Sequence, residues 1–147
     1  MSDQQLIDLY SGRILALAAD IPLCDPLDAP MVEVKRRAPL CGSTITVQFD
    51  VENGKITRFG QNVKACALGQ AAASVVAQNI IGADRDLVTK ARDQLRAMLD
   101  QEGAAPDAPF DELKVLIPAR SFANRHASIL LSLDAIVEGF ERLDRPT

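Results

Sequence analysis

The chain has 147 residues, 48% of them hydrophobic but only 4% aromatic and none Trp, so it can build one core without disulfides, and that core has to be aliphatic. A net charge of −4 and a pI near 4.9 argue against the basic face that a nucleic-acid-binding surface requires. No basic, hydrophobic leader opens the sequence and no apolar run reaches the roughly eighteen residues of a membrane span, so one soluble domain over residues 1–147, cytoplasmic in location, is expected.

Ser2 with Gln5 three residues on resembles a capping box, and Leu6, Leu9, Tyr10, Ile14 and Leu17 follow at helical spacing, predicting an amphipathic helix over about residues 3–19. Pro22, Pro26 and Pro30 exclude helix from the next stretch, which reads as a surface linker. Cys24, inside it, reads as a bystander thiol. Met31 to Arg37 is a short edge strand whose Lys35, Arg36 and Arg37 would guard it against pairing with other chains. After a turn at 38–43, Thr44 to Glu52 alternates, with Ile45, Val47, Phe49 and Val51 on one face. Asn53-Gly54 is a two-residue hairpin signal. The returning strand runs from Lys55 to about Asn62. Ile56 fits the face of Val51 but Phe59 falls on the other, which predicts a bulge or twist. The result is a three-stranded antiparallel meander with one half-buried face that needs helices to cover it, an α+β fold.

Residues 65–81 are rich in alanine, free of proline and followed by Gly82, so they read as a buried helix with a glycine stop. Gln70, Ser74 and Gln78 recur every four residues as a polar stripe, expected along an open seam, with Leu68, Ala72, Val75 and Ile80 toward the core. Cys66 heads that stripe, in the first turn, where unpaired N–H groups and the helix dipole favour an anion and hence a thiolate. Asp84 caps the next helix, to about Gln101, with Leu87, Val88, Ala91, Leu95, Met98 and Leu99 inside. A short helix over 110–116 should end before Pro118. The last helix, about 124–143, carries an apolar stripe of Ile129, Leu130, Leu133, Ile136, Val137 and Phe140. His126, the only histidine, stands seven residues before Leu133 at the head of that stripe, as a hydrogen-bonded core residue or as a ligand.

Three cysteines, an odd number in no compact disulfide pattern, favour thiol chemistry or metal ligation. Cys41 in the turn between two strands, Cys66 and His126 at two helix N-termini can meet at one end of a two-layer domain. Two thiolates and an imidazole suit zinc or iron, although their spacing matches no zinc-finger pattern. Ser43 is a poor fourth ligand, so such a site would keep an open position.

Leu40-Cys41-Gly42, then a strand, a hairpin and Lys64-Ala65-Cys66-Ala67 opening a small-residue helix with Ala73-Ser74, resembles the iron–sulfur cluster scaffold family of IscU, SufU and the N-terminal domain of NifU. The long segment before Pro118-Ala119-Arg120 is similar to the SufU-like branch. The resemblance implies a three-stranded sheet under a helical layer. It also implies a site of three cysteines and an aspartate for zinc or an assembling iron–sulfur cluster, with a cysteine desulfurase and cluster-acceptor proteins as partners. The chain departs from that pattern. Ser43 replaces the aspartate linked in the family to cluster release. At the third cysteine, Arg125-His126-Ala127-Ser128 aligns in two ways, with either His126 or Ala127 at that position. The leading expectation is therefore a divergent scaffold, a carrier and not an enzyme, with Cys41, Cys66 and His126 at the metal or cluster site. The competing expectations are a degenerate, metal-free partner-binding member, and a thiol-based peroxidase or sulfur-transfer enzyme acting through Cys66, with Cys41 resolving and His126 tuning it.

Overall fold

The computed structural model describes residues 11–40 and 42–145. The first helix, α1 (Gly12–Ala19), starts at Ser11, whose extended backbone (φ −57°, ψ 159°) lets its hydroxyl accept from the Ile14 N–H. This corrects the single helix expected over 3–19: Ser11 is a non-helical N-cap, and the helix described here begins at Gly12. Ser2, Gln5, Leu6, Leu9 and Tyr10 lie outside the described residues. Ile14 and Leu17 are buried. The proline-rich linker is a strap fastened to the sheet: the Leu27 N–H donates to Gln48 Oε1 (2.8 Å) and the Gln61 N–H to the Leu23 carbonyl (2.9 Å). Gly60 makes room for it, because a Cβ there would stand 2.5 Å from the Asp25 carbonyl.

The sheet is β1 (Val32–Arg37), β2 (Thr44–Glu52) and β3 (Lys55–Lys64), antiparallel in the order β1-β2-β3. The expected hairpin turn is present, with Asn53 and Gly54 both at positive φ (53° and 78°), the geometry of a type I′ turn. The expected bulge is present too. Asp50 pairs with Arg58 and Val51 with Ile56, so Thr57 is the extra residue. That one insertion turns both Ile56 and Phe59 inward, where they are buried. Phe49, at the centre of the inner face, stacks on Phe59 (ring centroids 6.3 Å apart) and meets Phe140 at 5.3 Å.

The central helix, α2 (Ala67–Gln78), is shorter than expected at both ends. Cys66 is its N-cap and Asn79 its C-cap. It stops before Gly82 because the Asn79 side chain donates to the Val75 carbonyl (2.9 Å), ending the ladder while Ile80 turns back into the core. Gly82 (φ +90°) instead carries the turn that donates its N–H to the Ile56 carbonyl, tying this loop to β3. The open polar seam holds at Gln78, which is exposed, and in part at half-buried Gln70, but is corrected at Ser74. Ser74 is 0% exposed, as buried as Val75. The end of α1 covers it: Ser74 Oγ donates to the Asp20 carbonyl (3.4 Å) and receives Gln78 Nε2 (3.3 Å).

Helix α3 (Arg85–Asp100) begins as expected at Asp84, whose carboxylate accepts from the Leu87 N–H (2.8 Å). The expected short helix is a 3-10 segment, Asp111–Ser121, that continues through Pro118. Successive tight turns accept a proline because its fixed φ suits the start of a turn and only one N–H is lost. The last helix, α4 (Ala123–Asp144), lies across the sheet at Gly139, where a Cβ would stand 2.5 Å from Phe49 Cζ. Its predicted apolar stripe is buried throughout. Among the described residues no helix is long and apolar enough to cross a membrane.

Candidate site at the N-terminus of the central helix

Cys66 is half-buried at the N-cap of α2, with extended backbone (φ −66°, ψ 168°) and no side-chain capping bond. Its thiol is therefore not spent on the helix it starts. Cys66 Sγ lies 3.5 Å from Ser128 Oγ, and Ser128 Oγ donates to Ser43 Oγ at 3.0 Å. Both serines are buried, Ser43 at 4% and Ser128 at 2% exposure. The site thus joins three elements: the turn before β2, the head of α2 and the first turns of α4.

Sequence and packing account for this junction. Ser128 reaches the head of α2 because residue 69 is glycine. A Cβ on Gly69 would collide with Ser128 Oγ and stand 2.9 Å from Ala65 Cβ and 3.1 Å from the Ser128 carbonyl. Ser43 is set by a tight turn. Gly42 has φ +72°, the Gly42 N–H donates to the Ala38 carbonyl (3.1 Å), and the Ala38 N–H donates to the Ser43 carbonyl (2.8 Å). Cys41 itself lies outside the described residues.

His126 is only 12% exposed at its side chain and both ring nitrogens have oxygen partners. Nε2 donates to the carbonyls of Ala119 (3.0 Å) and Arg120 (3.2 Å), and Nδ1 lies 2.9 Å from Asp100 Oδ1. Carbonyl oxygens only accept, so Nε2 carries a proton. His126 and Ser128 are two positions apart on one helix, about 200° around its axis. Ser128 accordingly faces Cys66, while His126 faces the end of α3 and of the 3-10 segment. Among the described residues no group of three or more His, Cys, Asp and Glu side chains is gathered closely enough to hold a metal ion. Cys24 is exposed in the strap, its thiol bonded to the Ile21 carbonyl (3.4 Å). Partial desolvation, and then the charge of Asp25, push that thiol's pKa up and keep it neutral.

Ser128 is the site residue that sequence reasoning missed. Its signal was slight: a small polar side chain beside Ile129 on the buried side of α4, opposite a helix of small residues.

A three-stranded antiparallel sheet under helices, with a cysteine opening a small-residue helix, is the NifU/SufU-like scaffold fold. The chain belongs to the NifU-like N-terminal family: it is 38% identical to a nitrogen-fixing NifU-like protein (N-terminal) from Brucella abortus, over 97% of this chain and 99% of that one, with a TM-score of 0.94. Two further solved structures share the fold. One is a proposed iron–sulfur cluster assembly scaffold protein for the SUF system from thermophilic Fervidobacterium islandicum AW-1, at 16% identity over 91% of this chain and 98% of that one, TM-score 0.81. The other is a hypothetical protein, at 19% identity over 92% and 99%, TM-score 0.77. No family model and no curated protein matches the chain.

Proposed function

We propose that the protein is a scaffold-type carrier in iron–sulfur cluster assembly, working in the cytoplasm and holding iron, zinc or an assembling cluster as exchangeable cargo. Cys41 and Cys66 would be its thiolate ligands. The observation that carries this reading is the family match over nearly the whole chain, with Cys66 at the helix N-cap and its thiol uncommitted to capping. The donor set suits loose holding. Two thiolates favour zinc or iron, while the Ser43 and Ser128 hydroxyls beside Cys66 are neutral, hard and bonded to each other, so they add little. His126 faces the end of α3 and not Cys66, so it would serve as a third ligand or a proton donor only if the start of α4 rearranged and the ring gave up Asp100 and its two carbonyls. Sulfur would come from a cysteine desulfurase and the cargo would leave to acceptor proteins. On this reading the protein is a carrier and not an enzyme.

The test is metal analysis and visible absorbance of protein purified without oxygen and reconstituted with iron and sulfide or with zinc. The parent should retain metal, Cys66→Ala and Cys41→Ala should lose it, and Cys24→Ala should match the parent. Full retention by Cys66→Ala refutes the reading. A second reading has a specific observation behind it: the buried Ser43–Ser128 hydroxyl pair stands beside Cys66 where a metal would need an anion. On that reading the protein is a metal-free module that binds assembly partners. It predicts a parent protein that takes up no metal yet still binds a desulfurase.

A further inference from the structure

Two cross-strand rows close the sheet at the end nearest Cys66. Arg37, Thr44 and Lys64 face one another across the three strands, and Lys35, Thr46 and Asn62 form the next row. All six point to the outer face, because Ile45 and Val47, which alternate with the two threonines, are buried inward. The rows hold three cations, two hydroxyls and an amide, and no carboxylate. Many other cations meet acids, as in Arg36–Glu138, Arg58–Asp50 and Arg85–Asp144, and those that do not, such as Lys55 and Lys114, lie far apart in the sequence and not in one cross-strand row. Lys35, Arg37 and Lys64 are exposed, and none makes an ion pair among the described residues. Neighbouring strands lie about 5 Å apart and alternate residues about 7 Å apart, so three positive charges share a patch of roughly 10 by 7 Å. That is on the scale of the Debye length of about 8 Å, so their fields add. Like charges gathered on one sheet face repel, and this happens in a chain whose net charge is −4.

The backbone beside the patch is also unspent. The Ala38 N–H bonds to the Ser43 carbonyl just before β2, so by strand alternation Val34 and Arg36 also face β2, while Glu33, Lys35 and Arg37 turn their N–H and C=O groups to the free edge of β1. At that edge the Glu33 carbonyl accepts from Arg142 Nη1 (2.8 Å). Just past β1, Leu40 is 77% exposed.

The geometry points to the β1 edge and these two rows as a docking surface for an extended acidic segment of a partner protein, its carboxylates over Lys35, Arg37 and Lys64 and its backbone along Lys35 and Arg37. A peptide backbone uses the edge groups, which a nucleic acid or a lipid headgroup cannot. A long polyanion would also meet the acidic remainder of the molecule. Lys35 and Arg37, expected together with Arg36 to guard this edge, would repel a basic strand, and it is an acidic strand that they would admit.

The test uses the full chain and a fluorescein-labelled peptide alternating Glu and Thr, with a Lys-Thr peptide and a single-stranded oligonucleotide of matching charge for comparison, read by anisotropy. The acidic peptide should bind, weaken as salt is raised, and weaken at least about tenfold in Lys35→Ser/Arg37→Ser/Lys64→Ser. Lys55→Ser/Lys114→Ser, which removes two exposed cations elsewhere, should leave binding unchanged. Peptide titration of the unaltered protein followed by amide NMR should shift residues 35, 37 and 64, a readout that does not depend on the triple variant folding. Equal peptide binding by a folded triple variant, shifts confined to other regions, no binding at about 1 mM peptide, or tighter binding of the oligonucleotide would each overturn the proposal.

Discussion

Gly69→Ala tests whether the contact between α2 and α4 builds the site. Replacing a helical glycine by alanine ordinarily stabilises by roughly 0.5–1 kcal/mol, because alanine loses less backbone entropy. Here the new methyl would collide with Ser128 Oγ and stand 2.9 Å from Ala65 Cβ and 3.1 Å from the Ser128 carbonyl. The hydroxyl can rotate away, but only by leaving Ser43 and Cys66. The Ala65 methyl can move only with the backbone that joins β3 to α2, and the Ser128 carbonyl only with α4. Overpacking costs about 1–3 kcal/mol, and with two of the three contacts tied to backbone the upper part of that range, about 2–3 kcal/mol, applies, which leaves a net loss of about 1–2.5 kcal/mol. For a chain of this size that lowers the melting temperature by roughly 2–10 °C, and in urea the midpoint should fall with an unchanged slope. Gly12→Ala is the control: that glycine opens α1, nothing lies within 4 Å of its built Cβ, and the variant should be as stable as the parent or slightly more so. Adding Ser128→Ala to Gly69→Ala should recover part of the loss, because it removes the hydroxyl but neither Ala65 nor the carbonyl. If Gly69→Ala proves as stable as the parent, the close approach of the two helices is not what places Ser128 beside Cys66.

Asp84→Ala should cost about 1 kcal/mol in urea unfolding by leaving the Leu87 N–H without its cap; no change would mean that another group caps α3. Asp50→Asn tests an acid-range term. Asp50 accepts from Arg58 Nε (2.5 Å) and from the Met31 N–H (2.8 Å), and these bonds, Arg58 first, hold its pKa below the usual carboxylate range. A lowered folded pKa gives stability that is full above the unfolded value near 4 and lost as pH falls through the folded one, so the parent's advantage over Asp50→Asn should be present at pH 7 and vanish toward the most acidic pH. A gap that stays constant down to pH 2 would remove the carboxylate from this account. Ser43→Asp places an anionic oxygen among buried groups beside Cys66, so it should destabilise the metal-free protein and tighten zinc or iron binding in a chelator competition; unchanged affinity would mean that residue 43 does not face the metal.

The sheet was legible because its determinants are local. Alternation fixed the inward face of β2, Asn53-Gly54 fixed the turn, and the odd spacing of Ile56 and Phe59 revealed the bulge. The stripe on α2 failed at Ser74 for a tertiary reason. Whether Ser74 is open depends on what packs over it, and the Asp20 carbonyl at the end of α1 covers it. The end of α2 was misplaced because Asn79 capped it through its own side chain before the glycine was reached. At the site, Cys66 was found from its place at a helix head. The partners of His126 are two carbonyls and a carboxylate brought in from the 3-10 segment and α3, and no periodicity on α4 encodes them.

The hydroxyl pair limits what the Cys66 thiol can do. In the hydrogen-bonded chain seen here Ser128 donates its only proton to Ser43, which leaves its lone pairs for the Cys66 S–H. A neutral thiol fits that chain as it stands. A thiolate, which can only accept, fits only if Ser128 turns its proton from Ser43 to the sulfur. Binding a cation at Cys66 therefore requires a change in two buried hydroxyls as well as loss of the thiol proton. An aspartate at residue 43 would act differently: it would accept from Ser128 permanently and bring its own charge to the metal. With serine at residue 43, these side chains can rest hydrogen-bonded to one another with no cation present. Ser128→Ala separates these states, since it removes the neutral chain while leaving both thiols: if the chain stabilises the metal-free form, the variant should bind zinc more tightly than the parent, and equal or weaker binding in the same chelator competition would show that Ser128 serves packing alone.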